Sequence, residues 1–444
     1  MVTERKLICQ LNYGTETVMA DVVISQSDDC SVIATITPHR QISLISSNVD
    51  CFIESIPNSL SSFLLKKTPV TISEQNNQLK AKLGIAELEL PNLPSDKDIV
   101  SVRMYLTNLC PYFSKPNRKF DINITGQPPV VLSAHKEGAT GCISILQGRS
   151  ISVDNLLVRI RDLLPKCFAP TNIFAKMRCT RATEVGISNI IAEVFQIPYS
   201  ELENIKKFIN SICWLCSFAS GRLSAVARMD VLRNEELIYQ ELTSVDTTLN
   251  QGPQVIYDVD DLTQFIEHSY NYYQQIATTY NLNNLINLGI LAKHTPYIEV
   301  KTLLMCNFLE VLRYNYALKV GCPSGVFQQI RDNNFEWLSG ANRGKKASFN
   351  EILTRLCDSN SIISGEFSRD FTNIRNEIVH TGNITGSNSL EKIQKYKDLH
   401  HFCDRVILAL LQWNLVSGHY IPRNCPNNPN PAVLGVNRVA FTNE

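Results

Sequence analysis

The chain has 444 residues, with 42 Lys+Arg against 42 Asp+Glu. That length holds more than one domain and at least one sizeable core. A neutral total excludes a globally basic nucleic-acid coat but leaves room for a local basic groove. With 44% hydrophobic and 8% aromatic residues, the composition is that of an ordinary soluble globular protein.

The opening segment, MVTERKLICQLNYG, lacks an apolar stretch with a small-residue cleavage site, so no signal peptide is expected. No apolar run is long enough to span a bilayer. A cytosolic location follows as the expectation. The 14 cysteines, scattered from Cys9 to Cys425 without a repeating spacing, are expected to be reduced and mostly buried. The sequons at Asn123 and Asn383 then carry no glycan.

Taken in chain order, the first half reads as strands. ETVMADVVISQ (16–26), CSVIATITPH (30–39), IVSVRMYL (99–106) and KFDINI (119–124) are rich in Val, Ile and Thr with partial alternation. Turn clusters such as SQSDD, LPNLPSDKD and TGQPP separate them. An antiparallel, sandwich-like β domain is expected over 1–250, with some helix. One helix is predicted over SVDNLLVRIRDLL (152–164). Another is predicted over YSELENIKKFINSICWLCSFASG (199–221), with Ser200 as N-cap, Glu203 three residues on and Gly221 at its end. RLSAVARMDVL and ELIYQELTSV suit strands that close this half.

From Asp260 onward helical spacing dominates, and a helical bundle is predicted over 260–421. Candidate helices are 261–280, then 297–321 between Pro296 and Gly321. A short one at 348–358 has Ser348 and Glu351 spaced as a capping box. Next comes 365–380. The longest, 388–415, starts at Asn388 with Glu391 and carries an apolar stripe of Leu390, Ile393, Leu399, Cys403, Val406, Leu410 and Trp413. Residues 422–444, rich in Pro and Asn, form an extended tail. The expected class is therefore α+β, with no internal repeat.

The segment FTNIRNEIVHTGNI (371–384) carries the most chemistry. On a helix Phe367, Phe371, Ile374 and Ile378 share one apolar face, while Asn376 and His380 point together on the far side. Arg375 lies between. Arg375 and His380 are about 140° apart on an ideal helix. They converge if the helix loosens near Thr381-Gly382, where a left-handed cap is expected, or if a second copy supplies the missing group. His380 in the last turn meets the negative end of the helix dipole. A histidine can exchange a proton near neutral pH, and an always-charged arginine stabilises a developing anion, phosphate above all. Together they suit RNA cleavage in which an adjacent 2′-hydroxyl attacks the phosphate. DNA lacks that hydroxyl.

Arg375-Asn376-x-x-x-His380, on the penultimate helix of a helical C-terminal half, resembles the Arg-x(4–6)-His signature of the HEPN superfamily. The flanking helices at 297–321 and 388–415 resemble that family's other core helices. A β-rich half in front resembles the ApeA-like members, implicated in bacterial defence against phage by abortive infection. The resemblance covers about Asp260–Ile421. It implies a HEPN-like bundle and a homodimeric endoribonuclease without metal or other cofactor, cutting RNA, with tRNA a candidate substrate. Two motif helices would share one cleft. It assigns Arg375 as the anion-stabilising group, His380 as the general acid/base and Asn376 as polar support. The first half would then sense a trigger of phage origin. HEPN folds also serve as non-catalytic RNA-binding or dimerisation modules, and that alternative stays open. So does a structural, antitoxin-like subunit.

Other features are weaker. SGANRGKKASFN (339–350) places Arg343, Lys345 and Lys346 between glycines. A mobile basic loop there is a candidate RNA contact, and a merely solvated loop is the plainer reading. It is not a P-loop, having three residues between Gly340 and Gly344. From Asp260 on there are 17 Lys+Arg and 16 Asp+Glu, so any RNA groove is local. Cys213-x-x-Cys216, without a second pair, reads as core rather than zinc. His400-His401 with Asp404 reads as a surface or interface group. Glu310, within an apolar helix, either orients Arg375, bonds a neighbouring helix or faces water.

Overall fold

The computed structural model describes residues 3–13, 16–27, 30–40, 51–56, 63–75, 78–90, 95–108, 119–127, 130–134, 190–245, 254–256, 259–360, 369–386 and 388–413. The predicted helix at 152–164 and the tail at 422–444 fall outside them. The class is α+β, with a β-rich first half and a helical second half.

Alternation builds the first half. In β2 (Glu16–Gln26) Val18, Ala20, Val22 and Ile24 are buried while their neighbours face outward. That period of two is what a strand with one wetted face requires. β1 (Thr3–Tyr13), β2, β3 (Val32–Pro38), β7 (Gln78–Leu83), β6 (Thr68–Gln75) and β4 (Cys51–Ser55) pair antiparallel in that order, and β4 returns to β1. The sheet thus closes into a barrel within the expected antiparallel, sandwich-like β domain. The fourth strand lies beside the first, as in a Greek key. Closure leaves no strand edge unpaired.

The remaining strands of the first half form an eight-stranded antiparallel sheet. Its order is β10 (Lys119–Ile122), β11 (Val130–Ala134), β12 (Ile190–Pro198), β9 (Ile99–Leu106), β13 (Val226–Arg233), β14 (Glu236–Thr243), β8 (Ile85–Glu89), β5 (Leu64–Leu65). The segments RLSAVARMDVL and ELIYQELTSV supply β13 and β14, as expected. Asn234 and Glu235 join them at φ of 50° and 66°. Two positive φ values make the tight turn that matches strand twist. Ala86, Leu88 and Leu242 of this sheet share one core with the barrel interior.

α1 (Leu202–Ser220) follows a single 3-10 turn at Tyr199–Glu201. Ser200 therefore sits inside that turn and is not the N-cap. Gly221 ends α1 at φ 66°. The chain divides into two compact units, Met1–Cys213 with Leu223–Asn250, and Trp214–Arg222 with Gln251–Glu444, so the division falls inside α1.

The helical unit continues with α2 (Val259–Tyr280), α3 (Leu282–His294), α4 (Ile298–Tyr316), α5 (Phe349–Ser359), α6 (Arg369–Thr381) and α7 (Ser389–Leu410). α3 was not expected. Asn281, at φ 56°, breaks the run after α2, and Leu282, Leu285, Ile286 and Ile290 then bury a helical stripe. Asparagine tolerates the left-handed region better than most side chains. Ser348 and Glu351 form the predicted capping box of α5, and Asn388 caps α7. The α7 stripe is only partly covered: Leu399, Cys403, Val406 and Leu410 are buried, but Leu390 is 77% exposed.

A small antiparallel sheet interrupts the helices, formed by β15 (Phe327–Arg331), β16 (Asn334–Trp337) and β17 (Lys346–Ala347). Its inner residues Phe327 and Phe335 are fully buried. Phe335 lies 6.0 Å from the Tyr314 ring of α4, and Phe327 lies 4.7 Å from Trp337. Among the described residues no helix is long and apolar enough to cross a membrane.

Candidate active site

α6 buries one face and exposes the other. Phe371, Ile374 and Ile378 are 8%, 4% and 4% exposed, and Phe371 stacks 5.2 Å from Phe402 of α7. Phe367 lies outside the described residues. Asn376, Val379 and His380 face out, and Arg375 is half-buried at the border.

The guanidinium of Arg375 is held from three directions. Its Nε and Nη2 donate to Glu310 Oε1 of α4 at 2.9 and 2.6 Å, and its Nη1 donates to Asn376 Oδ1 at 2.8 Å. Its plane sits 5.4 Å from the Phe349 ring at the start of α5. Of the alternatives for Glu310, the geometry selects the first: it orients Arg375. The other Glu310 oxygen, Oε2, accepts from Arg313 Nε at 3.1 Å, and Arg313 also lies over Phe349 at 6.0 Å. One carboxylate is shared by two guanidiniums, so the group as a whole stays cationic. An arginine has five N–H donors. Three of those on Arg375 are engaged here.

α6 does not loosen at its end. It stays α-helical through Thr381, and Gly382, at φ 69°, donates its N–H to Ile378 O at 3.0 Å. This is the expected left-handed cap. The following loop is tied down. Thr385 N donates to Glu377 Oε2 at 3.0 Å, and Lys392 Nζ donates to Asn383 Oδ1 at 2.8 Å. Ile384 is fully buried. The route by which a frayed terminus would swing Arg375 and His380 together is therefore closed. Arg375 turns toward α4 while His380 stands exposed, with no hydrogen bond to any described residue.

Arg313 and Phe349 were not anticipated. Glu310 and Arg313 are three residues apart on a helix, a spacing that does predict an ion pair. Nothing local signals that Phe349, on another helix, lies against both guanidiniums. Cys306, one turn before Glu310, is buried, and burial pushes its thiol up to about 12.

Arg343, Lys345 and Lys346 are all exposed. Arg343 and Lys345 lie in the turn joining β16 to β17, and Lys346 is the first residue of β17. Cys213 and Cys216 are buried in α1, and burial pushes the Cys213 thiol up to about 12, as a core role requires. Among the described residues, no three His, Cys, Asp or Glu side chains gather as a metal-binding group.

His400 and Asp404 do not lie at a surface. They are 6% and 7% exposed, inside the helical unit. The Tyr396 hydroxyl stands 2.8 Å from His400 Nδ1, and Lys293 Nζ lies 3.7 Å from Asp404 Oδ2. Burial pushes His400 down to about 3, so it is neutral at ordinary pH. His401 is half-buried and also lowered by burial.

Comparison with protein-family models, with curated proteins and with solved structures finds no match. The HEPN resemblance accordingly rests on the motif and its helical setting.

Proposed function

We propose that this protein is a metal-independent endoribonuclease of the HEPN type, acting in the cytosol in bacterial anti-phage defence. The observation that carries this reading is the presence on one helix of two groups that face different ways and need a second copy to meet. One is an imidazole with no hydrogen bond to any described residue and open to solvent. The other is a guanidinium fixed by Glu310 and Asn376, with N–H groups to spare.

In the proposed reaction His380 takes the proton from a ribose 2′-hydroxyl. That oxygen attacks the adjacent phosphorus. Arg375 donates its remaining N–H groups to the non-bridging oxygens as negative charge builds on the phosphorane. The bond to the 5′-oxygen breaks, and that oxygen takes up a proton from a second, protonated imidazole. The products are a 2′,3′-cyclic phosphate and a 5′-hydroxyl. Asn376 keeps the guanidinium in place.

The second imidazole comes from another copy of the chain, in a homodimer that brings two α6 helices together. Exposed apolar residues beside the motif support such a contact. Val379 is 49% exposed next to His380, and Leu303 is 37% exposed on the α4 face that carries Glu310. The β-rich half acts as restraint and sensor, with a phage product as trigger. tRNA is the first substrate to test.

One observation favours the alternative, a non-catalytic RNA-binding or dimerisation module. Among the described residues none hydrogen-bonds His380, so none of them fixes its tautomer, which an efficient general base requires. The experiment is incubation of the full chain with tRNA in EDTA, with end-group analysis. A cyclic phosphate terminus that vanishes in His380→Ala supports cleavage. Tight binding with intact RNA supports the module. Cleavage that needs added metal, or that survives in His380→Ala, refutes the mechanism.

A further inference from the structure

The two N–H groups that Arg375 turns toward α4 converge on one atom. Nε and Nη2 both donate to Glu310 Oε1, at 2.9 and 2.6 Å. A bidentate arginine–carboxylate pair ordinarily spreads over two oxygens, one for each N–H. Arg228 in the β-rich unit pairs in that way. Its Nε donates to Asp230 Oδ1 at 2.8 Å and its Nη2 to Asp230 Oδ2 at 2.5 Å. At Glu310 the second oxygen is taken: Oε2 accepts from Arg313 Nε at 3.1 Å.

Arg313 is a fixed occupant of that oxygen. It is buried, three residues on from Glu310 along α4. Its Nη1 donates to Asn333 O at 3.3 Å, and Asn333 sits at φ 61° in the turn between β15 and β16. Its guanidinium also lies 6.0 Å from the Phe349 ring of α5. Contacts from three elements thus keep it in place. Its side chain is 10% exposed against 29% for Arg375, so an outside anion meets Arg375 and not Arg313. Any effect of Arg313 on that anion passes through Glu310.

The sharing decides the charge that Arg375 presents. A carboxylate given wholly to one guanidinium neutralises it. A carboxylate divided between two leaves one positive charge in excess, and Arg375 is the member that water reaches. Of its five N–H groups, two then remain for a ligand, one on each Nη.

We infer that Arg313 is a positioning residue for Arg375: by occupying one oxygen of Glu310 it keeps Arg375 anchored yet cationic, ready for a phosphate of the RNA backbone. This rests on the cleavage reading above and adds the control of its anion-binding group. Without Arg313, Glu310 turns both oxygens to Arg375, as Asp230 does to Arg228, and neutralises it. The rim then keeps its shape and loses its pull on phosphate.

The test uses the full chain and two labelled oligouridines. One carries 2′-O-methyl riboses, so it offers phosphates without an attacking hydroxyl and reports affinity alone. The other is unmodified and reports cleavage in EDTA. Arg313→Met keeps much of the side-chain length and removes its charge. It is expected to weaken binding of the methylated strand about tenfold, the share of one charge-assisted contact, and to slow cleavage. Arg313→Lys keeps a cation beside Oε2 and is expected to bind nearly as the parent does. Adding Glu310→Gln to Arg313→Met is expected to restore binding, because no carboxylate is left to neutralise Arg375. It is not expected to restore cleavage, because nothing then anchors Arg375. A merely structural role would instead make the double variant bind worse than either single one. Matching far-UV spectra keep the comparison to folded proteins. Binding by Arg313→Met equal to the parent's, or weaker still in the double variant, overturns the role of Arg313. The cleavage reading then stands if the parent cuts the unmodified strand. A parent that binds the methylated strand but cuts nothing overturns the cleavage reading, while the pattern of affinities still judges Arg313. A parent that neither binds nor cuts overturns both.

Discussion

Two charged triads sit in the helical unit, made of similar residue types and put to opposite uses. At the rim, Arg375, Glu310 and Arg313 have side chains 29%, 30% and 10% exposed. In the interior, Lys293, Asp404 and His400 are 4%, 10% and 7% exposed. The rim group has two cations for one carboxylate and faces water, so it can meet an anion. The interior group has one cation, one carboxylate and a neutral imidazole, and it is sealed. Burial, rather than residue type, separates a candidate site from a structural core network.

That contrast can be broken experimentally. The largest expected effect is at His380. His380→Ala should cut RNA cleavage by about a hundredfold to ten-thousandfold, the usual contribution of a general base, and leave the melting temperature unchanged. If the melting temperature falls instead, His380 belongs with the structural residues. The interior triad should answer the other way. Asp404→Ala strands Lys293 in the interior and should cost about 3–5 kcal/mol in denaturant unfolding. A loss below 1 kcal/mol would mean that the ion pair contributes little.

Glu310→Gln keeps the shape of the rim but removes its anion. Arg375 then loses its anchor, and cleavage should fall roughly tenfold to a hundredfold through misplacement. Arg375→Lys should not restore it, because an ammonium cannot contact Glu310 and a phosphate in the same planar fork.

A smaller effect concerns pH. Burial lowers His400 to about 3 and His294 to about 4, from an ordinary value near 6.5. Below pH 6.5 the unfolded chain takes up protons at these positions while the folded chain does not. Stability is therefore full above 6.5 and falls as pH drops toward 3. Asp404, Lys293, His401 and Lys301 are the charged neighbours of His400. Melting curves of His400→Gln should show a shallower acid slope than the parent. An unchanged slope would assign the acid sensitivity elsewhere.

What the chain reveals in its own order follows the same division. Local rules were readable: the alternation of β2 and β9, the capping box of Ser348 and Glu351, the glycine ending α6. Asn281 was not read as a helix break, because asparagine enters the left-handed region less often than glycine and carries no fixed signature. The strands at 327–337 were not assigned, because Gln328, Gln329, Ile330 and Arg331 are all exposed and show no alternation. Barrel closure depends on β4 finding β1 some forty residues away, and no local pattern encodes that. The candidate site divides likewise. Arg375, Asn376 and His380 stand out by spacing within one helix. The partnership of Arg375 with Glu310, 65 residues apart, emerges only when α4 and α6 pack.

Gly321, where α4 unwinds into a wider turn, has no room for even one added carbon. A Cβ there would lie 2.3 Å from Cδ2 of the buried Phe327 ring. Phe327 opens the hairpin, so the ring and the missing methyl together form a fulcrum. A bulkier residue at 321 would have to push that ring, and with it the strand it opens, off its seat. The small sheet thus owes its place to a methyl group that is absent.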